Sequence, residues 1–162
     1  MKRGQGLVLA ALAAGAVGLV LGFTTSGCGS GLQKPYEFES RSRPDAGSVA
    51  IQALADLDWP ASPAEGNPNR IRSDWKPTGT RFGYAGGRPA QLIRRIIVDL
   101  TPDGGKFTVQ VKIELLACSE VAMLADDYRA GRDCNNVEDI RPADQRDVDR
   151  IGAAVERAFA QH

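Results

Sequence analysis

Two hydrophobic patterns along the chain predict its regular elements. From Phe107 to Leu115 apolar and polar residues alternate strictly, which is the period of a half-buried β-strand. The segment from Leu92 to Leu100 is rich in β-branched residues and also predicts a strand. Thr101 to Gly105 lies between them and has turn composition. These segments therefore predict an antiparallel hairpin with one buried face.

Apolar residues recur at helical spacing in one segment before the predicted hairpin and in one after it. Residues 44 to 57 carry apolar positions at helical spacing, with Asp45 as the predicted N-cap, and a second helix is predicted from Pro142 to the end. A short strand is predicted at 70 to 75, with Ile71, Ser73 and Trp75 facing inward. Segments 61 to 68 and 76 to 91 are predicted to be connections, and 119 to 129 is predicted as a short helix or irregular chain. The fold class predicted is α+β, a small antiparallel sheet of about three strands covered by two helices.

The first 28 residues have the layout of a bacterial export signal. Lys2 and Arg3 precede an uninterrupted apolar run from Leu7 to Phe23, and small residues follow up to Cys28. Gly29 to Arg43 has no apolar periodicity and many small or charged residues, so it is predicted to be a flexible tether with a reach of roughly 20 Å. Residues 44 to 162 are then predicted to form a single domain.

Ser26-Gly27-Cys28 resembles the lipobox of bacterial lipoproteins, although Thr25 stands where that motif usually has Leu. The resemblance implies a diacylglyceryl anchor on Cys28, cleavage between Gly27 and Cys28, and a signal peptide spanning residues 1 to 27. It also implies attachment at the outer membrane facing the periplasm, because no Asp follows Cys28. An uncleaved signal anchor is the alternative, since the 17 residues of the apolar run would extend about 26 Å as a helix.

The two remaining cysteines, Cys118 and Cys134, form an even pair in a chain predicted to be exported. A disulfide between them would stabilise the domain by about 3 kcal/mol in the chain-entropy estimate. The alternative is two unpaired thiols, with Cys118 as a small core residue.

Composition and charge exclude several functions. Lys and Arg total 20, as do Asp and Glu, so nucleic-acid binding is not expected. His162 is the only histidine, which leaves histidine-dependent catalysis and metal sites without support, and no cofactor or metal is expected. The glycine-rich stretch 83 to 87 lacks the order of a phosphate loop. Five clustered acidic residues could include a pair for acid–base catalysis, or they could simply be solvated surface side chains. They are Asp126, Asp127, Asp133, Glu138 and Asp139.

Charge is distributed unevenly along the chain. From Arg70 to Arg95 seven basic residues accompany one acid, whereas ten acids and four arginines occupy Glu114 to Asp149. Either these regions neutralise each other within the fold, or the basic one faces anionic headgroups or glycans.

Ile71 to Trp75, the hairpin and the last amphipathic helix together resemble small helix-over-sheet domains of envelope lipoproteins, over residues 46 to 160. The family is that of the helix-grip lipoprotein of the outer-membrane barrel-assembly machinery, and it implies a non-enzymatic accessory role. The predicted function is a lipid-anchored envelope protein that binds another protein, with Trp75, Phe82 and Tyr84 as candidate contacts. Trp75 is alternatively a core residue. The alternative functions are a carboxylate-based hydrolase and an anionic lipid- or glycan-binding module.

Overall fold

The centre of the protein is a long antiparallel hairpin. The computed structural model describes residues 31–125, 128–131 and 133–161. Strand β6, Arg88–Asp103, pairs with strand β7, Lys106–Ser119, from Asp103 opposite Lys106 to Ala90 opposite Ser119. Gly104 and Gly105 form the turn with positive φ, a conformation that glycine adopts without steric cost. The hairpin that the alternation predicted is confirmed, and it is longer than predicted.

Shorter elements surround this hairpin. The other strands are β1 Gly31–Leu32, β2 Tyr36–Arg41, β3 Ala61–Ala64, β4 Asn67–Ser73, β5 Lys76–Ala85, β8 Cys134–Asn136 and β9 Asp139–Ile140. The helices in the described part of the chain are α1 Ala46–Ala55, α2 Glu120–Leu124 and α3 Pro142–Gln161. Helix α3 begins at Pro142, as predicted, because proline suits the first helical position. Asp45 precedes α1, but its carboxylate binds Arg43 and does not cap the helix.

Each of the two hairpin strands is long enough to pair with two different strands along its outer edge. Strand β7 pairs with β2 along one half and with β8 along the other, while β6 pairs with β4 and with β5. Strand β3 pairs with β4, and β1 and β9 form a separate two-stranded sheet. Between the ends of β4 and β5 the side chain of Ser73 accepts a hydrogen bond from the Ile96 backbone N–H at 2.9 Å. This bond satisfies a buried donor that neither neighbouring strand reaches.

The predicted fold class is wrong. Within the described residues the main sheet has seven antiparallel strands and the chain has three helices, so strands dominate and the sheet is more than twice the predicted size. The sheet grows because the hairpin edges present unpaired backbone groups along their whole length, and these recruit segments of weak hydrophobic pattern.

Three segments predicted to be irregular are strands. Residues 36 to 41 were expected in the tether, but they pair with β7 as β2 and bury Phe38. Residues 61 to 68 contribute β3 and the start of β4, and residues 76 to 85 form β5. In place of a loop, Gly86 and Gly87 make a two-residue turn between β5 and β6, both with positive φ.

The larger core lies on one face of the sheet, under α1 and α3. Its sheet residues include Leu92, Ile96, Val98 and Leu100 from β6, as the sequence predicted. The apolar face of α3 packs there through Val148, Ile151, Val155 and Phe159. The opposite sheet face, called the open face below, carries a smaller cluster around Ile93 and Leu116.

Candidate functional site

The predicted disulfide is confirmed. Cys118 and Cys134 are bonded, with their Cα atoms 4.1 Å apart, and both residues are at most 1% exposed. The bond joins β7 to the three-residue strand β8, and Ile93, Leu116 and Ala122 pack around it. It therefore holds a short edge strand that few backbone hydrogen bonds could retain.

The three predicted partner contacts lie in different surroundings: they are Trp75, Phe82 and Tyr84. Trp75 is partly buried on the open face, against Arg95 and Tyr128, because the chain changes direction after β4. The prediction that Trp75 shares an inner face with Ile71 is wrong. Phe82 and Tyr84 lie on β5, with 41% and 71% of their surfaces exposed.

A concavity on the open face brings together two of the aromatic and two of the basic side chains of the described chain. It has a volume of about 520 Å³, and Trp75, Tyr128, Arg72 and Arg95 contribute aromatic and cationic walls. The rest of its lining is Ser62, Pro63, Ala64, Glu65, Ser73 and Asp74. Strand alternation explains its composition: Ile71 points into the core, so the next residue, Arg72, points to the open face. This concavity is called the Arg72 pocket below.

Arg72 and Arg95 differ in how their charges are satisfied. The Arg95 guanidinium binds Glu114 at 2.6 Å and stacks 4.3 Å above the ring of Trp75. The Nε of Arg72 is buried without a hydrogen-bond partner among the described residues. A buried, unsatisfied donor costs free energy, and the same guanidinium lines the pocket, where its terminal nitrogens could bind a ligand acceptor. The sequence reasoning missed this role, although the alternation at Ile71 already placed Arg72 on the outer face.

The charged side chains beside the pocket bind one another in a network of ion pairs. Asp99 binds Arg70 at 2.5 Å and Lys112 at 2.7 Å. Burial would raise the pKa of Asp99, but the hydrogen bonds from Arg70 and Lys112 outweigh it and hold the pKa below its usual value. The same contact with Asp99 raises the pKa of Arg70. These two cations thus already share a carboxylate partner in the folded protein.

The opposite charge runs of the sequence meet within the fold. Arg94 binds Asp147 at 2.6 Å and lies 3.6 Å from Asp144, joining β6 to α3. Asp144 is fully buried and also accepts two hydrogen bonds from the Arg141 guanidinium, at 2.7 and 3.0 Å, which raise the pKa of Arg141. Together with the Arg95–Glu114 pair, these contacts show internal neutralisation of part of the basic stretch, namely Arg94 and Arg95.

A second groove lies between the end of β2 and the end of α3. Its volume is about 670 Å³, and its walls include Phe38, Phe159, Arg43 and Glu156. Arg43 is already paired with Asp45, and Glu156 accepts a hydrogen bond from the Tyr36 hydroxyl. Although this groove is larger than the Arg72 pocket, the charged side chains named here already have partners.

Several predicted sites lie outside the described residues, namely Gly27, Cys28, Asp126, Asp127 and His162. In the ranges that the structure describes, no three His, Cys, Asp or Glu residues are grouped to hold a metal ion. Of the helices described, none is both long and apolar enough to cross a bilayer.

Comparison with known proteins adds no relative: no protein-family model and no curated protein sequence matches the chain.

Proposed function

We propose that the protein is a lipoprotein of the cell envelope, anchored through a diacylglyceryl group on Cys28, whose domain binds a partner without catalysing a reaction. The cysteine pattern supports this proposal. Ser26-Gly27-Cys28 follows a basic and then apolar segment, and the other two cysteines form a buried disulfide. Disulfides persist in oxidising compartments such as the periplasm, so all three cysteines fit an exported protein.

The observation that carries the binding role is the Arg72 pocket. Arginine and tryptophan are the residue types that supply most binding energy at protein interfaces. Here the Trp75 ring is already held by Arg95, so little side-chain freedom is lost on binding. Arg72 also lines the pocket, and its guanidinium could donate hydrogen bonds to a carboxylate. The proposed ligand is therefore a carboxylate-bearing segment of an envelope protein.

Capture experiments with matched arginine variants test this role. The lipidated protein is crosslinked in intact cells, and the partners recovered are compared between wild type, Arg72→Gln and Arg88→Gln. Arg88 is exposed at the start of β6 and does not line the pocket, so its replacement is a control of equal charge. We expect one partner to be lost with Arg72→Gln and retained with Arg88→Gln. Equal recovery with both variants, or no partner with the wild type, would contradict the proposal.

The proposed location is the outer membrane, facing the periplasm. Gly29 and Ser30 follow Cys28, and the acidic residue typical of inner-membrane retention in this resemblance is absent from that position. Density separation of the two membranes followed by immunoblotting tests it. Recovery in the inner-membrane fraction would overturn the location but not the lipidation.

A carboxylate-based hydrolase is a second candidate for the same pocket, because Glu65 and Asp74 both line it. Glycoside hydrolysis uses two carboxyl groups facing one cleft. If a hydrolytic activity is found and both Glu65→Gln and Asp74→Asn abolish it, catalysis replaces the binding role. Activity that survives either change removes this candidate.

A further inference from the structure

The chain joins the folded domain only three residues after Cys28. Strand β1 starts at Gly31, where it pairs with Ile140, and Leu32 pairs with Asp139. Two residues further on, the Lys34 backbone makes two hydrogen bonds with the Gln145 side chain of α3. Its N–H donates at 3.1 Å and its carbonyl accepts at 2.9 Å. The segment beyond Cys28 is therefore attached to the domain where a free tether was expected.

The next residues strengthen this attachment. Tyr36 begins β2 opposite Val111, and its hydroxyl donates a hydrogen bond to Glu156 of α3. Its ring fills the space at Gly152, where a Cβ atom would lie 2.2 Å from the Tyr36 Cγ. Contacts with β9, α3 and β7 thus follow one another from Gly31 to Arg41.

The short free length fixes how far the domain can stand from its anchor. Three residue steps separate the Cα atoms of Cys28 and Gly31, and a fully extended chain covers at most about 11 Å in three steps. The headgroup layer of one leaflet is itself about 5 to 8 Å thick. A thioether at the base of that layer leaves only a few ångströms between the outer headgroup surface and β1.

We propose that the edge formed by β1 and β9 lies against the lipid headgroups, so that this side of the domain remains in contact with the membrane surface. The inference rests on the proposed lipidation of Cys28. Leu32 is the apolar residue placed to enter the headgroup layer, because 79% of its surface is exposed and it lies four residues from the anchor. Large exposed apolar residues at such a position favour the interface over water.

Tryptophan fluorescence in vesicles tests the contact. Lipidated Leu32→Trp protein is reconstituted into phosphatidylcholine vesicles that contain brominated lipid, a quencher of nearby tryptophan. The control is Leu124→Trp, on a leucine that is 83% exposed. The two positions lie on different parts of the domain. Leu124 lies shortly after the end of β7, whereas Leu32 shares a cleft with Ile113, which is about 20 Å before that end along the strand. Trp59 and Trp75 contribute equally to both variants and are subtracted with the wild type.

A spacer variant separates the effect of chain length from any affinity of Leu32 for lipid. A flexible Gly-Ser insert of about twelve residues between Ser30 and Gly31 adds a reach of roughly 20 Å. We expect at least twofold stronger quenching of the tryptophan at position 32 than of that at 124, and loss of this difference with the spacer. Equal quenching of the two variants would overturn the proposal, and a difference that the spacer leaves unchanged would overturn its premise that the short link to Cys28 holds this edge at the membrane.

Intact mass distinguishes this failure from failure of the proposed function. A chain that lacks the diacylglyceryl group and stays out of the vesicles would remove the lipoprotein proposal and this inference together. A lipidated chain that enters the vesicles without preferential quenching at position 32 would remove this inference alone.

Discussion

Two helical glycines should respond in opposite directions to the same substitution. A Cβ atom at Gly47, in the first turn of α1, would meet the Ile71 side chain at 3.8 Å and the Pro68 carbonyl oxygen at 3.9 Å, which are ordinary contacts. A Cβ atom at Gly152, in the middle of α3, would lie 2.2 Å from Cγ and 2.5 Å from Cβ of Tyr36. Because the Cβ of Tyr36 is itself too close, rotation of the ring alone cannot remove this overlap.

The magnitudes follow from helix propensity and overpacking. Alanine is favoured over glycine inside a helix by about 1 kcal/mol, and compatible Gly→Ala changes raise stability by about 0.4 to 1 kcal/mol. Gly47→Ala should therefore increase the free energy of unfolding by about 0.5 kcal/mol. Gly152→Ala has the same propensity gain, but overpacking costs about 1 to 3 kcal/mol, and β2 must move away from α3. Because the overlaps at 2.2 and 2.5 Å are severe, the cost is taken from the upper part of this range, about 2 to 3 kcal/mol, which leaves a net loss of about 1 to 2 kcal/mol.

Urea unfolding of the unlipidated Cys28→Ala protein, with the disulfide intact, measures both effects. In thermal unfolding the loss at position 152 corresponds to a decrease in Tm of roughly 3 to 8 °C. If Gly152→Ala is as stable as the parent or more stable, the close packing of Tyr36 on α3 is refuted. Destabilisation by Gly47→Ala would instead show that propensity has been misjudged in α1.

Three other changes test the ion pairs and the disulfide. Replacing Cys118 and Cys134 together by alanine should lower the free energy of unfolding by about 3 kcal/mol, measured in urea, and an unchanged midpoint would contradict the role given to the bond. Asp144→Ala removes a fully buried carboxylate and leaves Arg141 without its partner, whereas Arg94 keeps Asp147. A loss of about 2 to 3 kcal/mol is expected in the same assay, and a loss below about 0.5 kcal/mol would refute it. Asp99 has a folded pKa below its ordinary value of 3.8, so it stabilises the fold above about pH 4 and loses that contribution as the pH falls through the folded pKa. Asp99→Asn should therefore flatten the acid side of a profile of unfolding free energy against pH. An unchanged slope between about pH 4 and pH 2 would contradict this expectation.

The elements found from sequence are those whose pattern reflects burial on one face. The β6–β7 hairpin, α1 and α3 each place apolar residues against the larger core, so their periodicity was visible. The disulfide was predicted from an even cysteine count and an exported location, although two thiols were the alternative. Each of these signals is local or compositional, and tertiary contacts are not needed to detect it.

The missed strands are held mainly by backbone pairing. Strand β5 has bulges, four of its last five residues are exposed, and its side chains therefore carry no regular pattern. Strand β2 does alternate, with Tyr36 and Phe38 on one side and Glu37 and Glu39 on the other, and this signal was available. Its partner strand β7 lies far along the chain, so sequence alone could not show that β2 pairs with the edge of β7.

The Arg72 pocket was only partly predictable. Trp75 and the basic stretch were identified as candidates, but which arginine lines the pocket beside Trp75 and which one binds Glu114 depended on distances that sequence does not contain. Arg94 and Arg95 are adjacent in the chain, yet they lie on opposite sheet faces and bind different acids. A count of charges along the sequence therefore overstates the basic character of either face.

If the chain is exported as proposed, the position of β2 in the sheet has a consequence for the order in which the fold forms. In a chain that crosses the inner membrane from its N-terminus, Tyr36 emerges long before Val111, its partner on β7. The bonds from Gln145 that hold Lys34 come later still. The β6–β7 hairpin needs only its own turn and can form first, whereas Gly31 to Arg41 are bound to the domain last. On the proposed route, a modifying enzyme would thus meet Cys28 before this segment is bound, and completion of the fold would afterwards draw the anchored end against the domain.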